Sequence, residues 1–181
     1  MVINFFLSEF INVIEKKIRI GKTFPPYLES YFENLKLLNK FPRLVEIRNR
    51  IPKTEILLRE KIRKMFERVF GESWRKKVAK ELPKKVKKFE NTINKRPDKG
   101  NIVDFLDGAT FGELIELLRR YHKDLLKDKD PNIRGAILNA LNYVNKHRRL
   151  LEHPIKEQSE DLDEKTYNEL KAMLSIIESF L

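Results

Sequence analysis

The sequence contains no cysteine. That absence excludes a disulfide framework, thiolate metal sites and a cysteine nucleophile. Glycine is scarce and scattered, with six in 181 residues. The chain has neither a phosphate-cradling G-x-x-x-x-G-K-S/T loop nor a nucleophile elbow of the G-x-S-x-G type. No apolar run approaches the roughly 20 residues of a membrane-spanning helix. The opening segment lacks a positive leader and soon meets Glu9, Glu15, Lys16 and Lys17. It therefore reads as a mature helix, not a secretory signal. These features fit an intracellular, cytoplasmic protein with no membrane partner.

What is abundant is lysine, glutamate, leucine and isoleucine, a composition that favours helix. The net charge is +11, but the segment Arg59–Arg96 alone carries 15 basic and 5 acidic residues, a local +10. Residues 152–181 carry −5. A concentrated basic face attracts phosphate backbones. A lysine-rich surface that only keeps the protein in solution is the equal alternative on charge alone.

The apolar spacing predicts an all-α chain. Phe6, Phe10, Val13 and Ile14 recur at helical intervals, and Gly21 closes that helix. Pro25 and Pro26 open a second helix to about Lys40. Pro42 opens a short piece expected to stop before Pro52. Thr54 is placed as the cap of a helix ending at Gly71. Ser73 is placed as the cap of a basic helix that Pro83 breaks or kinks. Asn91 to Asn101 reads as a loop. Ile102 to Leu106 fits either a strand or a helical turn. Thr110 and Glu113 have capping-box spacing. Asp130-Pro131 starts a helix expected to reach about Glu152. Residues 155–162 read as a polar loop, and Asp163 starts a last helix.

Three histidines are present, His122, His147 and His153. None belongs to an HExxH pair, and no carboxylate spacing argues for a magnesium site. No metal or other cofactor is expected. The apolar stripe of the helix after Pro131 runs Ile137, Leu141, Val144 and then Arg148. An arginine on that face is either paired, for instance with Glu152, or at a cleft rim. His147 and Arg149 read as solvent-facing. His153 follows Arg148 by five residues, just before Pro154, which ends the helix. A functional Arg148/His153 pair and a purely structural reading both remain open on spacing.

Two stretches resemble the HEPN (higher-eukaryote and prokaryote nucleotide-binding) domain family. Arg148 and His153 meet its Arg-x4-6-His signature shortly before a final helix. Upstream, Leu58-Arg59-Glu60-Lys61-Ile62-Arg63, Phe70-Gly71-Glu72-Ser73-Trp74, Asp104-Phe105-Leu106 and Phe111-Gly112-Glu113-Leu114 follow in the family's order. The likeness covers about residues 54–181 and leaves 1–53 as an additional N-terminal helical layer. It implies a helical bundle that often dimerises, and a metal-independent endoribonuclease of the toxin or defence type, with an antitoxin as a possible partner. By that resemblance Arg148 and His153 are catalytic. The adjacent basic residues Arg149, Arg75, Lys76, Lys77, Lys84, Lys85, Lys87 and Lys88 hold RNA, and Trp74 or Tyr143 either stacks on a base or belongs to the core. Many catalytic members place Asn, Asp or His directly after the arginine, where this chain has Arg149. That departure keeps a non-catalytic nucleic-acid- or protein-binding module as the alternative, beside a plain helical scaffold.

Overall fold

The computed structural model describes residues 40–96, 102–152 and 160–181, and only the helical backbone of Arg149, Leu150 and Glu152. The expected helices before Lys40 lie outside the described residues. Those described form α1 (Pro42–Phe70), α2 (Trp74–Glu81), α3 (Pro83–Asn94), α4 (Phe111–Arg120), α5 (His122–Leu125), α6 (Pro131–Glu152) and α7 (Glu164–Phe180). Among the described residues there is no strand. No helix among them is long and apolar enough to cross a membrane.

Two compact units divide the chain, Met1–Asn49 with Leu150–Glu169, and Arg50–Arg149 with Leu170–Leu181. In the first, Asp161 takes the role of a helix cap from far along the sequence. Its carboxylate accepts the backbone N–H groups of Arg43 (3.2 Å) and Leu44 (2.9 Å) in the first turn of α1. Those donors have no partner inside the helix, and the positive end of the helix dipole favours the carboxylate. Tyr167 donates its hydroxyl to Glu46 at 2.6 Å.

Helix α1 corrects the expected break at Pro52, because it runs through that proline without interruption. A proline there removes one backbone donor and crowds the carbonyl four residues back. The gain that outweighs this is a continuous apolar face. Ile47, Ile51, Leu58, Ile62, Met65 and Phe66 are all buried. Thr54 caps nothing. It is itself buried, and its hydroxyl donates to the carbonyl of Arg50 at 2.9 Å.

Gly71 ends α1 with φ of 64°, a left-handed conformation that glycine adopts without a side-chain penalty. Ser73 also departs from its expected role, since residues 71–73 form a 3-10 turn and its hydroxyl points back to the Phe70 carbonyl. The Gly71 turn delivers Trp74 into the core. Its indole stacks on Phe66 (5.2 Å between centroids, 8° between planes), and Tyr121 meets Phe66 edge-on at 5.2 Å. Trp74 is wholly buried, which removes it as a base-stacking platform. Pro83 breaks the basic stretch as expected and becomes the first residue of α3. That helix continues to Asn94, so the following loop starts later than Asn91.

The apolar run Ile102–Leu106 leads into a 3-10 turn at Phe105–Gly108, with Phe105 and Leu106 buried and Ile102 and Val103 exposed. Two arginines of α1 fasten this segment. Arg59 donates to the carbonyls of Leu106 and Ala109, both at 3.0 Å. Arg63 donates to Asp104 at 2.6 Å and Asp107 at 3.0 Å. Asp104 is nearly inaccessible, and its carboxylate also accepts the Leu106 N–H at 2.8 Å, which satisfies a buried charge. Burial would raise the Asp107 carboxyl, but the N–H groups of Val103 and Asp104 and the Arg63 guanidinium outweigh it and hold Asp107 low.

The remaining helix starts follow local chemistry. Glu113 accepts the Thr110 N–H at 2.8 Å and its hydroxyl at 2.9 Å, the reciprocal half of a capping box. Asp130 accepts the Asn132 N–H at 2.8 Å, and Asp163 accepts the Thr166 N–H at 2.9 Å. On α7, Leu170, Leu174 and Ile177 are buried. Tyr167 and Leu181 are only half-buried, and Phe180 takes the last core position.

Candidate functional site

Ile137, Leu141 and Val144 of α6 are buried, and Arg148 emerges next on the same face with its side chain 19% exposed. Its Nη1 lies 3.1 Å from Glu55 of α1. The other Glu55 oxygen accepts from Arg59 at 2.9 Å. One carboxylate thus bridges two guanidiniums, and Arg59 is in turn fixed by two backbone carbonyls. The Arg148 head is thereby oriented before any ligand arrives. The Arg148 guanidinium also sits 5.9 Å from the Phe111 ring centre. Sequence reasoning misses Glu55, because helical spacing from Arg148 points only to the nearby Glu152. No periodic signal marks a partner 93 residues away.

Arg148 lines a cleft of about 330 Å³ between α3, α4 and α6, with Lys88, Gly112, Arg119, Asn142 and Asn145 among its walls. Arg119 donates to the Asn142 carboxamide oxygen, and both residues line the cleft. Lys88 lies 2.7 Å from Glu113, and Lys85 pairs with Glu116. Burial would raise the Glu113 carboxyl, but Lys88 and the two hydrogen bonds from Thr110 prevail and lower it. The cleft therefore offers guanidinium and carboxamide donors, with its carboxylates already engaged by lysines. Such a surface suits a ligand that carries both a phosphate and hydrogen-bonding edges.

The predicted RNA-binding residues divide into two sets. Arg75 lies 3.6 Å from Asp104, Lys77 lies 3.3 Å from Glu81, and Lys85 and Lys88 are paired as above. Lys76, Lys84 and Lys87, together with Lys80, are exposed and make no ion pair among the described residues. These four lysines are the uncompensated charge of α2 and α3. His153 lies outside the described residues, and so does the side chain of Arg149.

His122 donates from Nδ1 to the Arg119 carbonyl at 2.7 Å, and His147 does the same to the Tyr143 carbonyl at 2.9 Å. His147 is half-buried rather than solvent-facing, and its ring lies against Tyr143 at 4.4 Å between centroids. Among the described residues no cluster of histidine and carboxylate side chains could hold a metal ion.

No family model matches the chain, and neither a curated protein nor a solved structure matches it. The residues that carry the HEPN resemblance nonetheless have clear physical roles. Leu58, Ile62, Trp74, Phe111 and Leu114 are core, Gly71 makes the turn, and Arg59, Arg63 and Asp104 tie α1 to the segment before α4.

Proposed function

We infer that the protein is a metal-independent endoribonuclease of HEPN type that acts on single-stranded RNA. The observation that carries this reading is Arg148, held by Glu55 in the wall of a polar cleft. Helix α3 lines that cleft through Lys88 and elsewhere carries Lys84 and Lys87, which make no ion pair among the described residues. In this reaction a ribose 2′-oxygen attacks the adjacent phosphorus. The O2′–P bond forms, the P–O5′ bond breaks, and the products are a cyclic phosphate and a 5′-hydroxyl. His153 moves the proton between these oxygens, because an imidazole titrates near neutral pH. Arg148 neutralises charge that gathers on the phosphate in the transition state. Two copies of the chain bring two such pairs to a shared cleft, so a homodimer is part of the proposal.

RNA incubated with the full chain in EDTA tests it. Cyclic-phosphate ends should appear, and His153→Ala and Arg148→Ala should each remove them while the helical circular dichroism is kept. Cleavage that persists in His153→Ala would remove that residue from the mechanism.

The second reading is a non-catalytic module that binds RNA or a protein such as an antitoxin. It is favoured by the Glu55 carboxylate on Arg148, which offsets part of the charge a transition state would use, and by Arg149 after the arginine. Salt-dependent RNA binding without products supports this version.

A further inference from the structure

Among the cleft's polar side chains is one that neither the proposed reaction nor another described side chain engages. Asn145 lies one helical turn before Arg148 on α6, lines the same cleft and is half-buried. Its carboxamide makes no hydrogen bond among the described residues, whereas Asn142, one turn earlier, is engaged by Arg119. Opposite it is Gly112, near the start of α4. A Cβ on that glycine would lie 3.4 Å from both the nitrogen and the oxygen of the Asn145 carboxamide. The absence of a side chain there leaves the carboxamide facing open cleft rather than a neighbouring methyl.

A primary carboxamide presents a donor and an acceptor side by side. That pairing complements the donor–acceptor edges of nucleobases, which a splayed single strand exposes. The cleft volume of about 330 Å³ lies at the small end of ligand sites and suits one nucleotide unit rather than a duplex. We propose that Asn145 reads the edge of one unpaired base seated in this cleft, with Arg119 and Arg148 holding the flanking phosphates. Asn145 is then a specificity-determining residue. This proposal rests on the RNA reading above and deepens it, since it makes recognition base-selective rather than purely electrostatic.

The test uses fluorescent hexanucleotides of A, C or U with 2′-fluoro riboses, which lack the attacking hydroxyl and report binding without cleavage. Wild type should favour one base over the others by roughly tenfold, the discrimination of one bidentate contact. Asn145→Ala should bring the three affinities to within about twofold, with the salt dependence unchanged because no phosphate contact is lost. Gly112→Ala should blunt the preference too, while its melting temperature holds or rises, since alanine is the better helix former. A structural role for Asn145 would not separate selectivity from stability in this way. If wild type binds all three oligonucleotides equally, or Asn145→Ala keeps the wild-type ratio, the base-reading proposal is overturned and the RNA reading stands. Binding to none of them overturns both.

Discussion

Gly108 is where the fold tolerates least. The 3-10 turn Phe105–Gly108 packs against α3, and a Cβ on Gly108 would sit 2.6 Å from the Phe89 carbonyl carbon and 2.9 Å from its Cα, closer still to its oxygen. Ordinary contact begins at about 3.4 Å, and every opposing atom is backbone. No rotamer change relieves the overlap, so turn and helix must part by roughly an ångström in a tightly packed interior. Parting them loosens the contact of Phe89 with Phe105, whose rings lie 6.4 Å apart, and disturbs the carbonyls of Leu106 and Ala109 that hold Arg59. Overpacking of this kind costs about 3 kcal/mol. The lower chain entropy of unfolded alanine returns at most about 1 kcal/mol. Gly108→Ala should therefore lose at least about 2 kcal/mol, a fall of roughly 4–8 °C in melting temperature for a chain of this size. Thermal melts followed by circular dichroism in the helical band, with urea titrations beside them, measure this. A variant as stable as wild type would refute the close-approach argument.

Three further outcomes follow from the same contacts. Asp107 and Glu113 are held below their ordinary values of 3.8 and 4.5, so their contribution is present at neutral pH and is lost as pH falls through the folded values. Urea midpoints should be flat from neutral pH to about 5 and drop below about 4.5, and Glu113→Gln should flatten that drop; midpoints that rise on acidification would contradict the sign. Replacing Lys76, Lys80, Lys84 and Lys87 together by alanine should lower the salt slope of single-stranded RNA binding by roughly 3, at about 0.7 per phosphate contact. An unchanged slope would place the RNA elsewhere. Glu55→Gln should cost about 1 kcal/mol, because both ion pairs are partly exposed, and should tighten RNA binding while slowing cleavage as Arg148 loses its fixed orientation. Cleavage faster than wild type would show that Glu55 only restrains the arginine.

Helix identity and most helix starts are legible in the sequence because their causes are local. Asp130, Asp163 and Glu113 each satisfy donors within three residues, and Gly71 and Pro83 act through their own backbone geometry. Pro52 misleads for the opposite reason. Its local penalty is real, but the buried face from Ile47 to Phe66 extends on both sides of it and outweighs one lost hydrogen bond. Ile102–Leu106 is ambiguous because so short an apolar run carries too little period to separate strand from turn. The buried Asp104–Arg63 pair and the Arg59 contacts settle it.

The candidate site shows the same division. Periodicity along α6 determined that Arg148 leaves a buried stripe, since successive positions on one helix face follow from the helical repeat. Composition determined that the positive charge gathers between Arg59 and Arg96. Only the tertiary structure decided that Glu55 bridges Arg148 and Arg59, that Gly112 leaves Asn145 open to the cleft, and which lysines of α2 and α3 make no ion pair among the described residues. Those outcomes depend on which helices pack together, and an ion pair between residues 93 apart leaves no mark on the local pattern of either.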